Sequence, residues 1–292
     1  MARHYADGQR VKVSQAQLDQ YAAVLKEVQQ AAGVPIEELF MSLDLGAAAT
    51  EAVLVEAIAV QVDVYGGAMA EAVSAFLQQQ LTATGNTAAA EAIRAATAES
   101  LAGAPPVDRE AIAGRVSYQQ RRATISPEAK QSAAATLRAD TEQKVKQRGY
   151  DVIGDTIESA DKALAKTGNK EKFYFAWVPQ SPTPCAFCIT VASNGWRRAR
   201  KKLVNEHADE IHPNCSCLLM IRTEAVDIPG YDPDKYLTQY LDAAKATSVK
   251  GSHAVVNTLQ RQLYADPKKY GDRLRAQHRA QYARTHPHDD ED

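Results

Sequence analysis

The sequence predicts a mainly α fold, with an elongated helical N-terminal region and a small α+β module after it. Three observations predict this. Aromatic residues make up only 7% of 292 and alanine is plentiful, which favours helices over a sheet-rich core. Leu54, Ile58, Val62, Tyr65, Met69, Val73 and Phe76 recur at steps of three and four, a continuous stripe on one helix face. Beyond Lys172 the period changes to two, and all four cysteines fall between positions 185 and 217.

The elements follow in order. A polar helix is expected from about Ser14 to Ala32, then a turn at Gly33-Val34-Pro35 and a short helix to Leu43. The apolar stripe makes the next helix a packing helix. Its most apolar window, Ala52 to Phe76, is interrupted by Glu56, Asp63 and Glu71, so crossing a bilayer carries a large cost and no membrane partner is expected. Residues 45–105 hold one basic residue, Arg94, against six acidic ones. Such a block reads as a solvated helix face, with a docking surface as the alternative.

Gly103-Ala104-Pro105-Pro106 predicts a break, and basic residues Arg109, Arg115, Arg121 and Arg122 follow it. Ser126 is a candidate N-cap with Pro127 in the first turn. That helix is expected to run to about Arg148, stop at Gly149, and resume with Ile153, Ile157, Ala160 and Leu164 until Gly168. Phe173, Phe175 and Trp177 alternate with Tyr174, Ala176 and Val178, which predicts a strand buried on both faces. A second strand is expected at Ser216 to Arg222. Two polar helices, about Pro233–Ala246 and Ala254–Tyr264, precede a charged segment ending Asp289-Asp290-Glu291-Asp292, of which the last ten or so residues are expected to be disordered.

A net charge of −2 excludes a chain that coats nucleic acid along its whole length. The charged opening, Met1 to Arg10, has no apolar segment after it, so synthesis and folding in a cytoplasm are expected. Cysteines crowded into one stretch are not spread as a disulfide framework. Cys185-Ala186-Phe187-Cys188 is followed, after 23 residues, by His212-Pro213-Asn214-Cys215-Ser216-Cys217. Two chelating pairs of the C-x2-C and H-x2-C types suit one tetrahedral zinc ion, because two intervening residues let a tight turn aim both side chains at the metal. Thiolate and imidazole favour zinc over magnesium or calcium.

Five candidate ligands compete for four places. The better knuckle geometry of the H-x2-C pair favours Cys185, Cys188, His212 and Cys215. Cys217 is then either a substitute fourth ligand or a buried thiol. His207, in a charged helix-like stretch, is a weaker candidate. Closing the loop between the pairs costs about 3 kcal/mol, whereas structural zinc contributes roughly 10–16 kcal/mol in small domains. A structural role for the ion follows. The α+β module is thus expected to be zinc-stapled.

Enzymatic readings of the motif fail on missing partners. Nucleobase deaminases need H-x-E ahead of P-C-x2-C, but the only histidine upstream is His4, followed by Tyr5 and Ala6. A thioredoxin-like pair needs no second Cys/His pair. A closed four-ligand site offers no position for a reactive water. No phosphate-binding glycine loop and no Ser/His/Asp constellation stands out. The chain is therefore not expected to be an enzyme. Arg197, Arg198, Arg200, Lys201 and Lys202 put five cations in six positions between the two pairs. A solvated face is the plain reading of that run, and contact with nucleic-acid phosphates is the alternative.

The stretch from Phe175 through Cys185-Ala186-Phe187-Cys188 to Trp196, continued by His212-Pro213-Asn214-Cys215-Ser216-Cys217, resembles the MuF-like minor capsid, or head morphogenesis, proteins of tailed bacteriophages. It is nearest to those of phages infecting actinobacteria. Tyr65-Gly66-Gly67-Ala68 in a long helix, and Thr124-Ile125 opening another, resemble these proteins too. The resemblance is strong over about 45 residues and otherwise one of architecture. It implies a virion component in few copies that associates with the portal protein and with other capsid or scaffold proteins inside the head. The basic run before His212 departs from the family's pattern and the resemblance does not settle its role; packaged double-stranded DNA is the candidate partner for it. Location inside the capsid, and in the host cytoplasm during assembly, is implied as well. Cys185, Cys188, His212, Cys215 and Cys217 fall on the family's metal motif. Four regions are then expected: residues 1–105, a helical region for portal or scaffold contact; 106–170, a helical connector; 171–228, the zinc-binding α+β module; and 229–292, polar helices with an acidic tail. The alternative is a cytoplasmic zinc-module protein that binds nucleic acid through residues 197–202.

Overall fold

The computed structural model describes residues 11–169, 172–181, 184–208, 215–223, 226–247 and 252–265. Among these the chain runs β1 (Val11–Lys12), α1 (Gln15–Ser42), α2 (Thr50–Ala83), α3 (Thr87–Ala102), α4 (Arg109–Ala123), α5 (Pro127–Lys166), β2 (Tyr174–Val178), α6 (Ala186–Ala192), β3 (Arg197–Arg198), α7 (Lys201–Ala208), β4 (Leu218–Arg222), β5 (Val226–Asp227), α8 (Pro233–Ala246) and α9 (Ser252–Ala265). The protein is mainly helical with a small sheet component, as the sequence predicts. The expected tail beyond residue 265 lies outside the described residues.

The chain divides into two units. One gathers residues up to Phe175 with Trp196–Cys215 and Leu219–Pro229; the other gathers Ala176–Gly195, Ser216–Leu218 and residues from Gly230 onward. In the first unit the 40-residue α5 is the central element and packs against α1, α2, α3, α4 and α7. By length and composition α2 is apolar enough to cross a membrane. Here Leu54, Ile58, Val62, Met69, Val73 and Phe76 of its predicted stripe are buried, and α1, α3, α4 and α5 pack on it. Glu56 pairs with Arg109 at 2.9 Å and Asp63 with Arg148 at 3.3 Å. Two of the block's six acidic residues are therefore paired by basic residues on α4 and α5, far along the chain.

Two expectations about breaks are corrected. Residues 33–35 do not form a turn: α1 runs unbroken with Pro35 inside it. A proline there costs roughly 3 kcal/mol. Continuing the helix, however, buries Ile36 and Phe40 completely on the stripe begun by Leu18, Tyr21 and Leu25, and each such side chain contributes about 1.5–3 kcal/mol. Gly33 serves a close approach instead, since a Cβ there would lie 2.6 Å from Glu142 Cγ. Likewise α5 does not stop at Gly149 but passes through it to Lys166. A Cβ on Gly149 would meet Met69 Cγ at 2.3 Å, and one on Gly66 would meet Arg148 Cγ at 2.3 Å. The two glycines let α2 and α5 approach closely.

Other boundaries fall where the sequence places them. Ser126 accepts the Ala129 N–H at 3.1 Å with Pro127 in the first turn, and Gly168 adopts a φ of 78° just past the end of α5. We expect Ser126→Ala to lower stability by about 1 kcal/mol, a fall of roughly 2–4 °C in Tm by thermal denaturation.

β1 pairs in parallel with β5, Val11 opposite Val226. β2 is the centre of a three-stranded sheet of order β3-β2-β4, with Tyr174 opposite Arg198 and Phe175 opposite Arg197 in the antiparallel β2–β3 pair. Phe175 to Val178 and all of β4 are buried, as continuous apolar runs predict. In the second unit, Ala186, Ile189 and Ala192 of α6 form a core with Tyr236 and Ala243 of α8 and Val255, Leu259 and Leu263 of α9. Asp232 caps α8 through the Lys235 N–H, and Pro233 occupies its first turn.

Candidate metal centre

Two short pieces of chain bring the cysteines together. Cys185 is the N-cap of α6: its backbone is extended and its Sγ accepts the Cys188 N–H at 3.3 Å. One helical turn then carries Cys188 inward, where it is buried, while Ala186, Ile189 and Ala192 anchor α6 in its apolar core. On the approach to β4, Cys215 and Cys217 are buried and Ser216 between them is exposed. That alternation puts both sulfurs on one side, as extended backbone requires.

The sulfurs of Cys188, Cys215 and Cys217 lie within 4.8 Å of one another. All four cysteines are free of disulfides. A tetrahedral zinc ion with Zn–S bonds of about 2.3 Å needs sulfurs about 3.8 Å apart, so three corners fit with small side-chain adjustments. An all-sulfur donor set also suits zinc and excludes hard oxygen-seeking cations. The three cysteines can hold a metal ion.

The grouping differs in detail from the favoured sequence set. Cys217 is within the sulfur group, and Cys185 stands outside it, beside the Cys188 amide. His212 lies outside the described residues, as does the side chain of His207, whose backbone ends α7. Two neighbours were not foreseen. Lys146 of α5 is buried and donates from Nζ to the Cys215 carbonyl at 2.7 Å. The signal for it was available: Lys146 stands in register with the Ile153 and Ile157 stripe, where a lysine is out of place. Tyr236 of α8 is the other; burial, followed by the charges of Cys217, Asp232 and Cys188, pushes its phenol above the ordinary value.

The basic run is split by the fold. Arg198 bonds Asp161 on α5 at 2.7 Å, and Lys201 pairs with Asp155 six residues earlier on the same helix. The same pairing, with Glu158 and Asp151 adding to it, raises the Lys201 ammonium above its usual range. Arg197, Arg200 and Lys202 have no ion pair among the described residues. Trp196 carries the Arg222 guanidinium 4.1 Å over its ring, so one face is covered.

A model of the VG15 protein family matches residues 12–243 of this chain. No curated protein and no solved structure matches it. That span takes in the long helices, the sheet and both cysteine segments, and the chain belongs to the VG15 family of phage proteins.

Proposed function

We propose that this phage protein is a MuF-like minor capsid protein, a non-enzymatic component of head morphogenesis that associates with the portal inside the capsid. The observation that carries the reading is the sulfur group itself. Cys188, Cys215 and Cys217 belong to the segments that resemble that family, they converge as a metal motif would, and both segments lie inside the VG15 match. In this role one zinc ion bound by Cys188, Cys215 and Cys217, with Cys185 or His212 as the fourth ligand, supplies structure and no chemistry. The helical region of residues 1–105 is the portal or scaffold contact.

The test is made on particles. Heads purified from infected cells should carry the protein in a few copies, it should resist added protease until the capsid is opened, and cross-linking in intact heads should join it to the portal. Absence from purified heads, or digestion in closed ones, overturns the proposal.

The nucleic-acid alternative has less support. Two of the five cations in residues 197–202 are engaged by α5. Only Arg197, Arg200 and Lys202 remain, and three phosphate contacts give a salt slope of about −3 in log K against log salt. A purified chain whose DNA affinity follows a markedly steeper slope favours that alternative.

A further inference from the structure

Lys146 is 4% exposed in the middle of α5, and lysine is almost never buried to this degree without a partner. Its Nζ donates to the Cys215 carbonyl at 2.7 Å and lies 5.8 Å from the centre of the Tyr150 ring. Among the described residues no carboxylate forms an ion pair with it. A carbonyl and an aromatic face solvate an ammonium but do not neutralise it, and an uncompensated buried charge is strongly unfavourable. The carbonyl it binds belongs to Cys215, one of the three cysteines whose sulfurs come together.

We propose that Lys146 is the counter-cation and positioning residue of the metal centre, an assignment that rests on the metal reading of the cysteine group. The charges account for the choice of residue. A divalent ion with three thiolates carries a net charge of −1, which a neutral imidazole leaves unchanged and a fourth thiolate makes −2. One buried ammonium brings the first of these to neutrality and the second to −1. Its hydrogen bond also ties the backbone of Cys215 to the middle of a 40-residue helix, so that ligand is presented from a rigid element. A mobile surface lysine would do neither.

The assignment is tested with Lys146→Met, near in size but uncharged, and Lys146→Arg, which keeps the charge. Zinc affinity is read by competition with a chromophoric chelator, and the thermal midpoint of the metal-free protein is read beside it. Lys146→Met should bind zinc about 10–100-fold more weakly, and Lys146→Arg should recover most of that loss. The metal-free midpoint should fall little or rise, because a buried charge has been removed. Cobalt(II) substituted for zinc adds a spectroscopic readout: the thiolate-to-metal charge-transfer band should move in Lys146→Met. A lysine with a merely structural role would lower the metal-free midpoint and leave that band in place. Lys146→Gln serves if Lys146→Met does not fold, with the same expected loss. Zinc affinity within about twofold of the parent's in the uncharged variants overturns the Lys146 assignment alone. A parent chain that holds no zinc overturns the metal centre and this assignment with it.

Discussion

Gly149→Ala should destabilise the protein by about 1–3 kcal/mol, although alanine is the better helix former by about 1 kcal/mol. The sign is decided by the crossing of α2 and α5. A Cβ at position 149 would sit 2.3 Å from Met69 Cγ, 2.7 Å from Met69 Cβ and 3.3 Å from the Ala70 nitrogen. These atoms lie at the root of a fully buried side chain and in the backbone, so neither can swing aside; the helices must separate. The control is Gly114→Ala on α4, where the new Cβ meets nothing within 4 Å and the site is exposed. There the entropy and propensity terms act alone and should raise stability by about 0.5–1 kcal/mol. Thermal melts of the two variants should move in opposite directions, by roughly 2–4 °C per kcal/mol for a unit of this size. A Gly149→Ala melt at or above the parent's would show that the crossing is not close.

The same glycine marks where local sequence stops being informative. A glycine ends a helix when φ must be positive, and Gly168 does so at 78°; it continues a helix when another element needs the space, as at Gly149 and Gly33. Both look alike in sequence because the deciding atoms, Met69 and Glu142, are about 80 and 110 positions away. Pro35 is the companion case: a local breaker is overridden by burial of Ile36 and Phe40, which only the packed partner reveals. By contrast, the α2 stripe, the Ser126 cap, both buried strands and α8 were legible, since each depends on residues within a few positions of one another. The turn at Gly85-Asn86 that separates α2 from α3 was not anticipated; it shows as a φ of 81° at Gly85, and only flanking alanines and threonines surround it in sequence.

At the candidate site, spacing located the cysteine segments but not their order of approach. Period two along the chain placed Cys215 and Cys217 on one side, which sequence already allowed. Which of them meets Cys188 depends on how the strand sits, and both do. Lys146 and Tyr236 come from α5 and α8, elements whose approach no motif announces. The basic run reads in sequence as uniform charge, yet the fold divides it, because Asp161 and Asp155 on α5 each take one cation.

The largest effect is expected from the paired variant Cys188→Ser, Cys217→Ser. Zinc content should fall from about one ion per chain to none, and the segment built on α6, α8 and α9 should lose its cooperative fold. Structural zinc contributes roughly 10–16 kcal/mol, against about 3 kcal/mol to close the intervening loop and about 5–15 kcal/mol of net stability for a whole domain. The apolar core of the second unit, drawn from three short helices, cannot replace a term of that size. The helices α1 to α5 have their own core through Leu54, Met69, Leu77, Leu137 and Ile153, so most of the far-ultraviolet helical signal should survive. Hydrogen exchange should then place the loss of protection in residues 186–192, 233–246 and 252–265 while α2 and α5 stay protected. Cys185→Ser, made alone, identifies the fourth ligand. Serine replaces cysteine at the α6 N-cap with a better capping side chain, so any loss of zinc reports coordination rather than helix stability. Unchanged zinc in that variant assigns the fourth corner to His212. Full zinc in the paired variant would mean the ion, if bound, is held elsewhere, and the convergence of Cys188, Cys215 and Cys217 would then be only the packing of three buried thiols.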